Sequence, residues 1–189
     1  MSLDLVPVDR EPAPGTVLLS GIPGSGKSTV AAALAARFAR SAHIEADELQ
    51  TLIVKGGHWP TPAHDPEADR QILLRARNAC LLADSFRRAG FVPVVDDVVV
   101  RRTHLDFYRA AVGAGPLHVV FLAPDPEVAW QRNNARHKRL TTDWAFLDEA
   151  MRAELPAEGS WIDTATLSVD ETADAVLDAL PATFATFAT

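Results

Sequence analysis

The chain has 189 residues, 48% hydrophobic and 23% charged, the balance of one globular domain with a buried core. Eighteen Lys and Arg against 25 Asp and Glu leave a formal charge of −7, which argues against nucleic acid or an anionic membrane as a partner. Cys80 is the only cysteine and the six histidines show no metal-ligand spacing, so an intrachain disulfide and a cysteine-based zinc site are excluded.

Residues 1–14, with Pro7, Pro12 and Pro14 among charges, read as an extended N-terminal arm with no apolar run for a signal peptide. Residues 16–20 are an apolar run ending at glycine and predict a buried strand. The alanine-rich segment 27–40 places Val30, Leu34 and Phe38 at helical spacing. A short strand is expected over 42–45, then a helix opening at Glu48. A long helical pattern over 67–89 stops at Gly90. The strand expected over 91–96 contains Pro93, which removes a ladder donor and belongs near a strand start or an edge. A helix over 103–112 and an apolar strand over 117–122 follow. Asp125-Pro126-Glu127 is a helix start, with a cap and a proline in the first turn. Helices over 143–154 and 170–180 flank a strand over 160–164. Residues 181–189 repeat Phe-Ala-Thr, offer no cap or polar face, and read as a poorly ordered tail. Strand–helix alternation over 15–180 predicts one α/β domain, a parallel sheet covered on both faces. No run reaches the roughly 18 to 20 apolar residues of a membrane span, and a cytoplasmic location is expected.

The segment Gly21-Ile22-Pro23-Gly24-Ser25-Gly26-Lys27-Ser28 fits G-x-x-x-x-G-K-[ST] and lies between a predicted strand and a predicted helix. Wrapping a polyphosphate requires consecutive backbone N–H groups, and glycines let the chain curl with positive φ. The following helix directs its N-terminal N–H groups, Thr29 included, at the phosphates. Lys27 is placed for the β- and γ-phosphates of ATP, and the Ser28 hydroxyl for Mg²⁺.

Ligands of open parallel sheets bind beyond the carboxyl ends of the strands, so acidic residues there carry weight. Asp47 follows the second strand, where it is either a helix cap or the base that takes a proton from an acceptor hydroxyl. Asp96 and Asp97 end the third strand. Neighbours on a strand point to opposite faces, and Asp96 is assigned to the metal and Asp97 to the acceptor side. Arg132, Arg136 and Arg139, with His137 and Lys138, close the helix opened at Asp125. They are either a solvated basic helix end or a short lid over 132–143 that brings guanidinium groups to the transferring phosphoryl. The irregular segment from Lys55 to Pro66 holds His58, Trp59 and His64, which either contact the acceptor or pin the loop. Trp130, Trp144, Phe146 and Trp161 are read as core and lid packing, and 163–167 as a loop passing the adenine ring.

The phosphate loop, Glu45-Ala46-Asp47-Glu48-Leu49, Val94-Val95-Asp96-Asp97-Val98 and the arginine-bearing helix together resemble small P-loop kinases. The resemblance is to the chloramphenicol phosphotransferase-like, zeta-toxin-like and gluconate-kinase-like group, and runs from about 16 to 180. It implies a five-stranded parallel sheet of order 2-3-1-4-5 and ATP-dependent phosphorylation of a hydroxyl. It implies further that Asp47 is the base, Lys27 and Ser28 the phosphate and metal positions, and Arg132 and Arg136 the lid arginines. The loop 56–66 matches no acceptor pocket of that group, which leaves the acceptor open among antibiotics, sugars and nucleosides. Two other readings remain at this level. One is an ATP-dependent switch or ATPase without an acceptor, which has no need of Asp47. The other is a nucleic-acid end kinase, which needs a basic groove where the sequence offers scattered arginines such as Arg70, Arg75, Arg77, Arg87 and Arg88.

Overall fold

The structure, a computed structural model, describes residues 11–61, 65–134 and 144–189. Five strands form one all-parallel sheet: β1 (Thr16–Ser20), β2 (Ser41–Glu45), β3 (Val92–Asp97), β4 (Leu117–Leu122) and β5 (Ser160–Ile162). Their spatial order is β2-β3-β1-β4-β5, the order the resemblance implied. The helices are α1 (Lys27–Ala35), α2 (Ala46–Thr51), α3 (Pro66–Arg88), α4 (Arg102–Ala111), α5 (Pro126–Asn134), α6 (Ala145–Glu154) and α7 (Val169–Asp178).

Pleat alternation divides the apolar strand residues between two cores. Leu18, Val95 and Phe121 point to one face, where Ala76 and Cys80 of α3, Leu105 and Tyr108 of α4 and Met151 of α6 cover them. Val17, Leu19, Val94 and Val120 point to the other, under Val30 and Leu34 of α1 and Ala173 and Val176 of α7. Continuous apolar strands are what a sheet buried on both faces requires.

Local chemistry sets the element ends. Asp65 caps α3 by accepting from the Glu67 N–H at 2.8 Å, with Pro66 at the first helical position. Asp125 does the same for α5 through the Glu127 N–H at 2.9 Å. Ser168 and Glu171 close a capping box on α7. Pro93 sits second in β3, a central strand. The Val92 N–H donates to Arg40 O on the β2 side, so alternation turns the missing Pro93 donor toward β1, whose ladder with β3 is registered from Val94.

Two expectations are corrected. The first helix ends at Ala35 rather than at 40, leaving Phe38 to pair with Ala188 in an isolated bridge. The C-terminal residues, expected as a poorly ordered tail, form a 3₁₀ turn over Ala182–Phe187. Phe184 is buried against His118 and Phe38, and the Thr189 N–H donates to Arg37 O at 2.8 Å. The Phe-Ala-Thr repeat supplies an apolar plug at three-residue spacing.

Candidate active site

β1 runs straight into the glycine-rich turn. Gly24 and Gly26 adopt φ of +91° and +92°, a left-handed conformation that β-carbon sterics disfavour in other residues. A Cβ on Gly24 would stand 2.0 Å from Ala129 O, so the turn also needs glycine to pass close beneath α5. Gly26 caps α1, and Lys27 opens it with its side chain largely buried. The Ser25 hydroxyl is buried without a protein partner. These are the features of a cradle for phosphate: open backbone donors, a helix N-terminus and a lysine already committed to the site.

Ser28 Oγ donates to Asp96 Oδ1 at 3.1 Å, which settles which aspartate of β3 faces the phosphate loop. The other Asp96 oxygen lies 2.6 Å from His43 Nε2 on β2, a partner the sequence reading did not foresee. A hydroxyl beside a carboxylate is the hard-oxygen donor pair that Mg²⁺ takes when phosphates complete its shell. Among the described residues no group of three or more His, Cys, Asp or Glu could hold a metal by itself, so an ion here would depend on bound phosphate.

Asp97 is corrected. Expected on the acceptor side, it is buried, with both carboxylate oxygens engaged by protein donors. Arg75 Nη2 donates to its Oδ1 at 2.6 Å, the Val98 N–H to the same oxygen at 2.8 Å, and the Tyr108 hydroxyl to Oδ2 at 2.8 Å. His104 Nε2 approaches Oδ2 at 3.5 Å. Burial alone would raise this carboxyl, but the Arg75 guanidinium, with His104 and Tyr108, holds it well below the usual carboxylate range. Arg75, 4% exposed, extends its other arm to Asp47, Nη1 to Oδ1 at 2.8 Å. Burial would lower the guanidinium, and the two carboxylates more than reverse that.

Asp47 therefore stands at the open end of a chain of buried bonds, its side chain 47% exposed. It lies inside the first turn of α2, which starts at Ala46, and the cap position falls on Glu45 without a side-chain bond. The reading of Asp47 as a cap is thereby overturned. Sequence reading left Arg75 as one of several scattered arginines. The signal was present in its position, seven residues after Ala68 and four before Ala79, on the buried stripe of α3.

The loop after α2 is tied to α3. The Gln71 amide accepts from the His58 N–H at 2.7 Å and donates to Gly56 O at 2.7 Å. Gln50 of α2 donates to Gln71 Oε1 at 3.0 Å and to His58 O at 3.2 Å. The His58 ring pairs with Asp65 at 2.9 Å, while Trp59 remains half exposed. His64 lies outside the described residues.

Beyond α1, an open cavity of about 290 Å³ is lined by Ser25, Gly26, Thr29, Arg132, Thr164 and Leu167. Arg132 Nη2 donates to Thr164 O at 2.8 Å, which brings the end of α5 against the 163–167 loop. Arg136, His137, Lys138 and Arg139 lie outside the described residues. Trp161 stacks on Phe121 at 4.7 Å between ring centres, the packing role expected for it, and Trp144 lies 5.6 Å from Phe146, while Phe146 and Trp130 stay exposed.

Residues 17–156 match the AAA domain family AAA_33. The chain belongs to that family. No curated protein matches it. Among solved structures it is similar to a gluconokinase from Sinorhizobium meliloti 1021, at 22% identity over 94% of this chain and 95% of that one, with a TM-score of 0.60. A tunicamycin resistance protein from Deinococcus radiodurans matches at 18% identity over 87% and 94%, TM-score 0.62. The APS kinase of Mycobacterium tuberculosis, solved with AMPPNP and APS, matches at 19% identity over 89% and 98%, TM-score 0.65. Likeness at these identities carries the fold, and the fold of this AAA_33 domain is that of the P-loop kinases. Among its described residues no helix is long and apolar enough to cross a membrane.

Proposed function

We propose that this AAA_33 protein is an ATP- and Mg²⁺-dependent phosphotransferase that moves the γ-phosphoryl of ATP to a hydroxyl of a small molecule. The observation that carries this reading is the Asp47 carboxylate, open to solvent at the carboxyl end of the sheet and held from behind by buried Arg75. A hydrolysing switch has no use for a carboxylate clamped at that place.

The residues divide by task. Gly21, Gly24, Ser25, Gly26 and Thr29 supply backbone and hydroxyl donors to the phosphates, and Lys27 adds a point charge. Ser28 and Asp96 would hold Mg²⁺, which when bound neutralises charge on the phosphate oxygens. Asp47 accepts the proton of the acceptor hydroxyl as the oxygen attacks in line. Arg132 and Arg136 place guanidinium groups over the transferring phosphoryl. His58 and Trp59 border the acceptor from the loop that Gln71 ties down. Asp97 acts through Arg75 on the orientation of Asp47.

The test is an ADP-release screen with Mg²⁺ and ATP across antibiotics, sugars, nucleosides and amino-sugar nucleotides, run beside Lys27→Ala. The expected result is release that depends on one acceptor class and is lost in the variant. Release that is the same with and without every acceptor would favour the ATPase reading.

A further inference from the structure

Helix α3 is 23 residues long, and its two sides differ sharply. Ala68, Gln71, Arg75, Ala79 and Ala83 face inward and are buried. The outward side carries Leu74 at 46% exposure and Leu81 at 64%, with Leu73 and Leu82 also open on its flanks. Isolated exposed leucines are ordinary, but four on two consecutive stretches of one helix are not.

The order of residues along that outward line is informative. In steps of three and four it runs Glu67, Arg70, Leu74 toward the middle, and Leu81, Ser85, Arg88 away from it. The midpoint falls between Arg77 and Asn78, and about that point leucine stands opposite leucine at 74 and 81, and acid opposite base at 67 and 88. Positions 74 and 81 are equidistant from it, as are 70 and 85, and 67 and 88. A two-fold axis through the midpoint lays α3 antiparallel on α3 of a second copy, as in an isologous interface. Leu74 then lies over Leu81 of the other copy, twice. At each end the charges alternate. Within one chain Arg70 pairs with Glu67 at 2.7 Å and Arg88 with Asp84 at 2.6 Å. Across the axis Glu67 meets Arg88 of the second copy, and Arg70 meets the turn that carries Ser85 and Asp84, so each end becomes a row of alternating sign. The like charges that approach are the two Arg77 side chains, beside the axis, and Arg70 one turn from Arg88 of the second copy.

We propose that this chain forms a two-fold dimer whose seam is the outward face of α3. The seam lies on the far side of the helix from the carboxylates that Arg75 binds, and the proposal stands independently of the proposed reaction.

Sedimentation velocity on the full chain tests it. The expected result is a concentration-dependent species of twice the chain mass. Leu81→Glu sets a carboxylate against Leu74 of the second copy and should weaken the dimer at least about 100-fold. Its circular dichroism and melting curve should match those of the wild-type monomer, because Leu81 touches solvent in the single chain. Arg77→Leu removes the like-charge approach and should tighten the dimer roughly tenfold. A wild-type chain that stays monomeric at roughly 100 μM overturns the proposal. A dimer that persists unchanged in Leu81→Glu overturns it equally, by placing the contact on another surface.

Discussion

The two sides of the cleft are built by different means. The proposed phosphate side is the main chain of consecutive residues, Gly21 to Ser28, bent by two positive-φ glycines and backed by one helix N-terminus. The proposed acceptor side presents Asp47 on α2, backed by buried side chains from separate elements: Arg75 on α3, Asp97 on β3 and Tyr108 on α4. Its central bonds reach 28 and 22 residues along the chain. A cradle of N–H groups is specified wherever the glycines stand, whatever surrounds it. A chain of buried charges is specified only when every member is present, because a member left alone keeps its desolvation cost and loses its partner. The first side is therefore expected to lose chemistry without losing stability, and the second to lose both.

The largest effect is expected from Lys27→Ala. Phosphoryl transfer, followed as ADP release, should fall by at least roughly a thousandfold, while the melting temperature stays within a few degrees. A variant that transfers normally would remove the phosphate-loop assignment. Next is Asp47→Asn, which keeps shape and one hydrogen-bond acceptor for Arg75 but cannot take a proton at neutral pH. Transfer should fall by roughly two to four orders of magnitude, in kcat more than in KM. A loss of only a few-fold would reduce Asp47 to a surface carboxylate. Arg75→Met then tests the contrast itself. It fills the helix position but leaves Asp97 buried and unpaired, and urea unfolding should show about 3–5 kcal/mol of lost stability. Transfer should fall together with stability, as it should not for Lys27→Ala.

The same contrast explains what could be read from the chain. The phosphate loop, the strand at 117–122 and the capped start of α5 are local features, each determined by a few neighbouring residues. Most boundaries moved by a residue or two, with one consequence: β3 continues to Asp97 and buries it. Asp47 was singled out from its place after a strand, but its partner was not, because an arginine on an alanine-lined stripe looks like a snorkelling surface residue until the stripe is seen to be inward. The Gln50–Gln71 pair and the His43–Asp96 contact were equally invisible, since nothing in either segment names the other. The C-terminal Phe-Ala-Thr repeat misled for the opposite reason. Its sequence is poor in caps and charge, yet three-residue spacing suffices to seat Phe184 in the core.

The smallest predicted effect probes the far end of the acceptor-side network. Tyr108→Phe removes the hydroxyl that donates to Asp97 Oδ2 at 2.8 Å and leaves the ring packing in place. A hydrogen bond to a buried carboxylate is worth about 1.5–3 kcal/mol, so neutral-pH stability should fall by about that amount. The pH dependence carries the sharper information. Asp97 is held below its unfolded value, so its contribution is present in full above the unfolded carboxylate pKa of about 3.9 and is lost as pH falls below it. Tyr108→Phe moves the folded value back toward the unfolded one. The stability gap between wild type and variant should therefore be widest above about pH 4 and close as the pH is lowered further, in urea titrations of both proteins. A gap that stayed constant into acid would mean the hydroxyl acts through packing alone, and the acceptor side would then depend on the Arg75 pairings without support from Tyr108.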